Sequence, residues 1–307
     1  MNSLVLFVGL VSFAFANSAC PDGTIGTSFN KLCYKVVKTP ATWLSAQFDC
    51  NRAGGDLAAS TNVFTNQFLL NLSIANFPNP GGFWIGGSNL VEGTGNWSWI
   101  DGNVWSYTNW ASDDPKPTNT LDSVAVHIPK GRPRNINSYD AIQMHSPNGF
   151  WYDASKTGLL PYICEIPINP SRNCPEPNWV YFGKTGSCYQ VLAQNDTWVN
   201  QHQACLNLGA DLASIHSNIE NLLVGAFTLD TLQTPQASNG IFFVGLNKNS
   251  KGNWTWSDGT SFDYGYMSGP YGNYGSAYGS LQYSAFYWAG VSNDLQKYPA
   301  VCKSDSF

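Results

Sequence analysis

Apolar residues come in short bursts along this chain, and what brackets each burst decides the element. Thr42 to Ala53 holds neither Pro nor Gly, opens on a Thr able to cap a helix, and stops at Gly54-Gly55. That predicts a helix carrying Cys50. Thr197 to Leu208, stopped by Gly209, predicts another of the same kind carrying Cys205. Ser217-Asn218-Ile219-Glu220 has capping-box spacing ahead of an apolar run to Leu229, so a further helix is expected there. Phe83-Trp84-Ile85-Gly86 and Phe243-Val244-Gly245-Leu246 read as short apolar strands. Asp101-Gly102 and Asp258-Gly259 supply turn residues directly after two Trp-x-Trp strands. Helices come first and short strands with long loops follow, an α+β order.

The N-terminal burst is of another sort. Leu4 to Phe15 is almost unbroken in apolar residues and ends in Ala14-Phe15-Ala16, the small-x-small pattern of a signal-peptidase site. A leader over residues 1–16 is expected, with a cut after Ala19 as the alternative, although no Lys or Arg precedes it. It is too short for a bilayer, and no later segment approaches the roughly 20 apolar residues a transmembrane helix needs. The expectation is a secreted, extracellular protein. An even count of eight Cys agrees with export, as do sequons at Asn71, Asn96, Asn195 and Asn253, expected to carry glycans.

The cysteines also reveal a repeat. Cys20, Cys33 and Cys50 recur as Cys174, Cys188 and Cys205, offset by 154 or 155 positions. Gly55-Asp56-Leu57-Ala58 returns as Ala210-Asp211-Leu212-Ala213, and Asn96-Trp97-Ser98-Trp99 as Asn253-Trp254-Thr255-Trp256. Cys164 and Cys302 close the two copies. The chain is a tandem duplication, divided as 20–166, a linker 167–173 containing Pro and Asn, and 174–303. Each copy is expected to fold by itself. Four Cys within a copy allow three pairings. The simplest choice staples a hairpin with the first two and joins the helical third to the fourth: 20–33, 50–164, 174–188 and 205–302.

Composition narrows the partners. Lys+Arg number 15 and Asp+Glu 20, so 11% of residues are charged against about 25% in an ordinary domain. With a net charge of −5 and no basic run, nothing here would displace counterions from a phosphate backbone, and nucleic acid is excluded as a main partner. A hydrophobic fraction of 43% excludes wholesale disorder.

The makings of a catalyst are missing. The four His, at positions 127, 145, 202 and 216, have no zinc-type spacing. There is no Gly-x-Ser-x-Gly elbow, and every Cys has a disulfide partner to take. Asp113 and Asp114 are sequence neighbours, a poor arrangement for flanking a glycosidic bond. Binding rather than catalysis is the expectation.

Several runs together resemble one family. In copy one these are Trp84-Ile85-Gly86-Gly87, Trp99-Ile100-Asp101-Gly102, Trp151-Tyr152-Asp153 and Leu160 to Glu165; in copy two they are Phe243 to Leu246, Trp256 to Gly259, Asn293-Asp294 and Pro299 to Cys302. They are similar to the C-type lectin-like domains, in the long form with an N-terminal hairpin, and the tandem secreted arrangement resembles invertebrate members. The resemblance implies the family fold and agrees with the long-bridge pairing. It also implies a further bridge per copy, whose positions hold Ala141 and Lys156 in copy one; in copy two the first falls near Gly279 or Ser280.

Family members that bind sugar through calcium use a Glu-Pro-Asn or Gln-Pro-Asp triplet and the Asn-Asp of Trp-Asn-Asp. Copy one has Asp114-Pro115-Lys116 and Trp151-Tyr152-Asp153 in those places. Lys116 puts a donor where an acceptor belongs, and its ammonium is expected to pair with Asp114 or Asp153. Those two Asp are weak calcium candidates, with Asn119 or Asp140 as helpers. Copy two has no triplet, retaining only Asn293 and Asp294. Its stretch from Tyr264 to Tyr283, rich in Tyr and Gly and free of charge, reads as a recognition loop. In copy two Tyr271, Tyr274, Tyr278, Asn293 and Asp294 would contact ligand; in copy one Asp114, Lys116, Asn119, Trp151 and Asp153 would. The resemblance implies glycan recognition, of microbial surfaces in innate defence, with the calcium site degraded or absent; the alternative is a calcium-independent module that binds a protein ligand.

Overall fold

The computed structural model describes residues 20–27, 30–78, 81–92, 95–116, 122–128, 149–168, 174–175, 178–234, 240–265, 267, 272–280, 285–291 and 295–307. The expected leader and most of the linker lie outside them.

Each helix begins where its cap is written. α1 (Trp43–Arg52) is capped by Thr42, whose hydroxyl accepts from Ser45 N at 3.2 Å. α3 (Trp198–Asn207) is capped in the same way by Thr197. Gly54 and Gly209 stop these two helices with φ of +83° and +72°, a conformation costly for any residue with a Cβ. α4 (Asn218–Thr231) starts at Ser217, which accepts from Glu220 N at 3.2 Å, while Glu220 accepts from His216 N at 2.7 Å. α2 (Val63–Asn76), capped by Asn62, is its counterpart in copy one.

Two sheets of eight strands share one design. In copy one β1 (Ile25–Gly26), β2 (Leu32–Ala41), β8 (Leu160–Pro167), β4 (Gly81–Ser88), β6 (Ser123–Ile128) and β7 (Trp151–Ala154) follow in that order across the sheet. β3 (Asp56–Leu57) joins β8, and β5 (Ser98–Trp99) joins β4. Copy two repeats the order with β9 (Val180–Phe182), β10 (Ser187–Asp196), β16 (Tyr298–Asp305), β12 (Gly240–Lys248), β14 (Tyr274–Ser280) and β15 (Ala285–Val291). β11 (Asp211–Leu212) and β13 (Trp254–Trp256) are its side strands. Pairing is antiparallel except between β4 and β8 and between β12 and β16, which meet in parallel. The four disulfides join Cys20–Cys33, Cys50–Cys164, Cys174–Cys188 and Cys205–Cys302, and none crosses between copies.

One expectation is corrected here. The Tyr- and Gly-rich stretch of copy two is not loop throughout, because residues 274–280 form β14 between β12 and β15. Small residues allow it: Ser276 and Ala277 are buried, and a Cβ on Gly275 would lie 2.6 Å from that of Leu246.

The copies also share an interface, where two autonomous units would leave α1 and α4 bare. Phe48 of α1 packs on Phe227 of α4 with centroids 5.1 Å apart, and Phe182 packs on Phe227 from β9. Phe48 and Phe227 are each 2% exposed. Arg52 lies over the Phe48 ring at 4.2 Å and pairs with Asp230 at 3.3 Å. Lys184 reaches Glu92 at 2.6 Å. Buried apolar side chains of both copies form one continuous cluster.

Candidate functional site

The site in copy one is built against the edge strand β7. Trp151 N donates to Asn109 O at 2.8 Å and Ala111 N to Trp151 O at 2.9 Å, so the chain around Trp110 runs parallel beside β7. A turn closed by Asp114 N and Ala111 O, then a cis peptide between Asp114 and Pro115, brings Asp114 and Lys116 over Asp153. The Lys116 backbone N–H donates to Asp153 Oδ2 at 2.7 Å. Its ammonium lies 2.8 Å from Asp114 Oδ1 and 3.9 Å from Asp153 Oδ1.

Burial grades the three groups. The Lys116 side chain is 51% exposed, Asp114 9% and Asp153 not at all. Asp153 Oδ1 is buried and accepts from no N–H or hydroxyl, and the Asp114 carboxyl lies within hydrogen-bonding reach of the Asp153 side chain. Burial first, then the adjoining Asp114 carboxyl, holds Asp153 above its ordinary carboxylate range. The hydrogen bond to Asp114 holds the Lys116 ammonium above its usual value. Calcium takes roughly six to eight oxygens, whereas the described residues offer two carboxylates already engaged by one N–H and one ammonium. This donor set does not fit a calcium ion.

Around it stands an aromatic cluster that the sequence reading missed. Trp105 packs on Trp99 at 4.5 Å, and Trp110 packs on Trp97 at 4.9 Å. Trp105, Tyr107 and Trp110 each meet the Trp151 ring at 5.6–5.7 Å. Trp97, Trp105, Tyr107 and Trp110 are half-buried. Copy two repeats the frame with Trp254, Trp256, Phe262, Tyr264, Met267 and Trp288. Phe262 and Tyr264 pack on Trp288, and Met267 runs parallel beside it. A signal was present, since the offset of 157 that relates the Trp-x-Trp strands also relates Trp105 to Phe262, Tyr107 to Tyr264 and Trp110 to Met267.

Trp151 itself belongs to the core and not to a contact surface. It is 0% exposed and its indole N–H donates to Asn66 Oδ1 at 2.8 Å, as Trp288 donates to Asn221 at 2.9 Å. Tyr274 is half-buried and stacks on Trp198 at 4.7 Å. Tyr278 sits in β14 by its backbone register opposite Ile241 and Tyr287. Asn119, Asp140, Ala141, Tyr271, Asn293 and Asp294 lie outside the described residues. Lys156, one of the half-cystine positions implied by resemblance, pairs instead with Asp122 at 2.6 Å. The sequon residues Asn71, Asn96, Asn195 and Asn253 are all exposed.

The copies differ most in their buried charge. In copy two Glu220 accepts from Tyr189 OH at 2.6 Å and pairs with Lys303 at 2.7 Å. In copy one the equivalent of Lys303 is Glu165, which accepts from Ala59 N at 3.1 Å. Burial first, then the Asp101 carboxylate, pushes Glu165 well above its ordinary value. A groove of about 850 Å³ in copy two, between Leu208, His216, Asp258, Lys303 and Phe307, is lined by some of that copy's charged residues. They are satisfied internally: His216 pairs with Asp263 at 2.7 Å, and Asp258 accepts from Thr260 N at 2.9 Å. Among the described residues no three His, Cys, Asp or Glu converge as metal ligands, and no helix is long and apolar enough to cross a membrane.

A family model described as the lectin C-type domain matches residues 39–166 and 194–304. Over 293 residues the chain is 28% identical to C-type mannose receptor 2 of Mus musculus, covering 88% of this chain and 17% of the receptor. It is 27% identical over 278 residues to the secretory phospholipase A2 receptor of Bos taurus, covering 81% and 16%. Against lymphocyte antigen 75 of Homo sapiens identity is 25% over 240 residues, covering 74% and 12%. The chain thus spans about a sixth of these relatives' length or less. Among solved structures it is similar to human lithostathine, with 19% identity, a TM-score of 0.39, and 52% of this chain and 99% of that one covered.

Proposed function

The chain belongs to the lectin C-type domain family, and on that premise we propose that it is a secreted, glycosylated recognition protein without catalytic activity. It binds carbohydrate, of the kind displayed on microbial surfaces in innate defence, and does so without calcium. The observation that supports this most is the half-buried Trp97, Trp105, Tyr107 and Trp110, gathered on Trp151 of β7, the strand whose Asp153 holds the Asp114–Lys116 turn. Aromatic faces stack on the C–H faces of sugar rings, while a carboxylate and an ammonium accept from and donate to hydroxyls. A glycan array probed with the mature protein, with and without EDTA, tests the reading. Sugar-specific signal that survives EDTA supports it, and a blank array refutes it. The second reading is a protein ligand, favoured by the Bos taurus relative, whose name makes it a receptor for a secretory phospholipase A2. A blank array together with saturable binding to one protein would select that reading.

A further inference from the structure

We infer that the Lys116 ammonium is the resident cation of the copy-one loop, tying Asp114 and Asp153 together where a divalent ion would otherwise be needed. The inference deepens the calcium-independent reading above. Three contacts from one residue carry it: the backbone N–H on Asp153 Oδ2, the ammonium on Asp114 Oδ1, and the same ammonium 3.9 Å from Asp153 Oδ1. The loop is thereby fastened to β7 at Asp153 and braced within itself at Asp114, by a cation that cannot dissociate. An added calcium ion would meet a fixed positive charge beside the same two carboxylates. It would also find one Asp153 oxygen committed to an N–H.

Asp153 explains why a cation belongs here at all. Its side chain has no exposure, and Oδ1 accepts from no N–H or hydroxyl. A buried carboxyl so placed is costly unless a positive group lies close. Lys116 is the basic group within ion-pairing distance of it among the described residues.

The test is a calcium titration of the mature protein, read by calorimetry and by melting temperature, in the parent and five variants, the single Asp153→Asn among them. Lys116→Asn exchanges the ammonium for an acceptor and should bind calcium at least tenfold more tightly than the parent. Adding Asp153→Asn should abolish that gain. Lys116→Met should melt below the parent, and Lys116→Arg, which keeps the charge, should recover most of the loss. The inference is overturned if the parent binds calcium and loses it on Asp153→Asn. It is equally overturned if Lys116→Asn binds no more tightly than the parent, or if Lys116→Met melts unchanged. No glycan enters this experiment, so its outcome is separate from that of the array.

Discussion

Replacing Phe48 with Ala tests whether the two copies are one mechanical unit. Phe48 sits on α1, yet its ring packs on Phe227 of the other copy and is 2% exposed. Truncating a buried Phe costs about 3–5 kcal/mol, and we take the lower end because an interface can close in part. For a domain of 150–250 residues each kcal/mol moves the melting temperature by about 2–4 °C, so a fall of roughly 6–12 °C is expected in calorimetry. Phe227→Ala should behave alike, and the pair should be non-additive by about 1 kcal/mol. The repeat supplies an internal control. Gln203 occupies on α3 the place that Phe48 holds on α1, and it is exposed; Gln203→Ala should shift stability by less than about 0.5 kcal/mol. A Phe48→Ala cost under about 1 kcal/mol, or strict additivity with Phe227→Ala, would falsify the idea of a shared core. Residues 20–168 expressed alone would uncover Phe48, and should be less soluble than the whole chain.

Three further outcomes are expected. Glu165→Gln keeps an acceptor for Ala59 N but removes a carboxyl whose folded-state pKa lies well above its ordinary 4.5. The stability owed to that shift is complete below about pH 4.5 and drains away as pH rises, so the variant should be more stable than the parent at pH 7.5 and lose part of the parent's pH slope. An unchanged slope in a pH series of melting curves would count against this. Lys303→Met leaves Glu220 buried without its cation and should cost about 3 kcal/mol, whereas adding Glu220→Leu should return part of it; equal losses in the single and double variants would contradict the pairing. Exposure of all four sequon asparagines predicts a deglycosylation ladder that loses a step with each Asn→Gln.

Much of the frame was legible because local chemistry wrote it. Thr42, Thr197 and Ser217 cap the helices at the positions their hydroxyls indicate, and the cysteine spacing led to the four bridges found. What was not legible depends on long-range burial. A Tyr- and Gly-rich stretch carries no strand signal of its own, and β14 forms because its small residues fit under Leu246 between two neighbouring strands. Trp151 read as a contact residue, yet the cluster that buries it comes from positions 97–110, far away in sequence. The shared interface did leave a trace. At equivalent helical positions α1 has Phe48 and Arg52 while α3 has Gln203 and Asn207, and only the former pair has another copy to meet.

That asymmetry suggests how to read any such duplication. Positions that do the same work in both copies keep their chemistry, as Trp99 with Trp151 and Trp256 with Trp288 do at 5.5 Å and 5.2 Å, edge to face in each. Positions that changed are those whose surroundings differ. Glu165 and Lys303 share a place in the strand order, but Lys303 answers Glu220 on α4, and α2 has Thr65 there. One copy therefore holds a neutralised charge pair, and the other a carboxyl that favours its protonated state. The same logic separates the aromatic frames, where Trp105 and Trp110 face Phe262 and Met267 as equivalents. Copy one keeps the larger rings, packed on Trp151 of β7, and Lys116 spans its two carboxylates at Asp153 of the same strand. Among the described residues the aromatic frame is common to both copies, and these exchanged residues are where it differs.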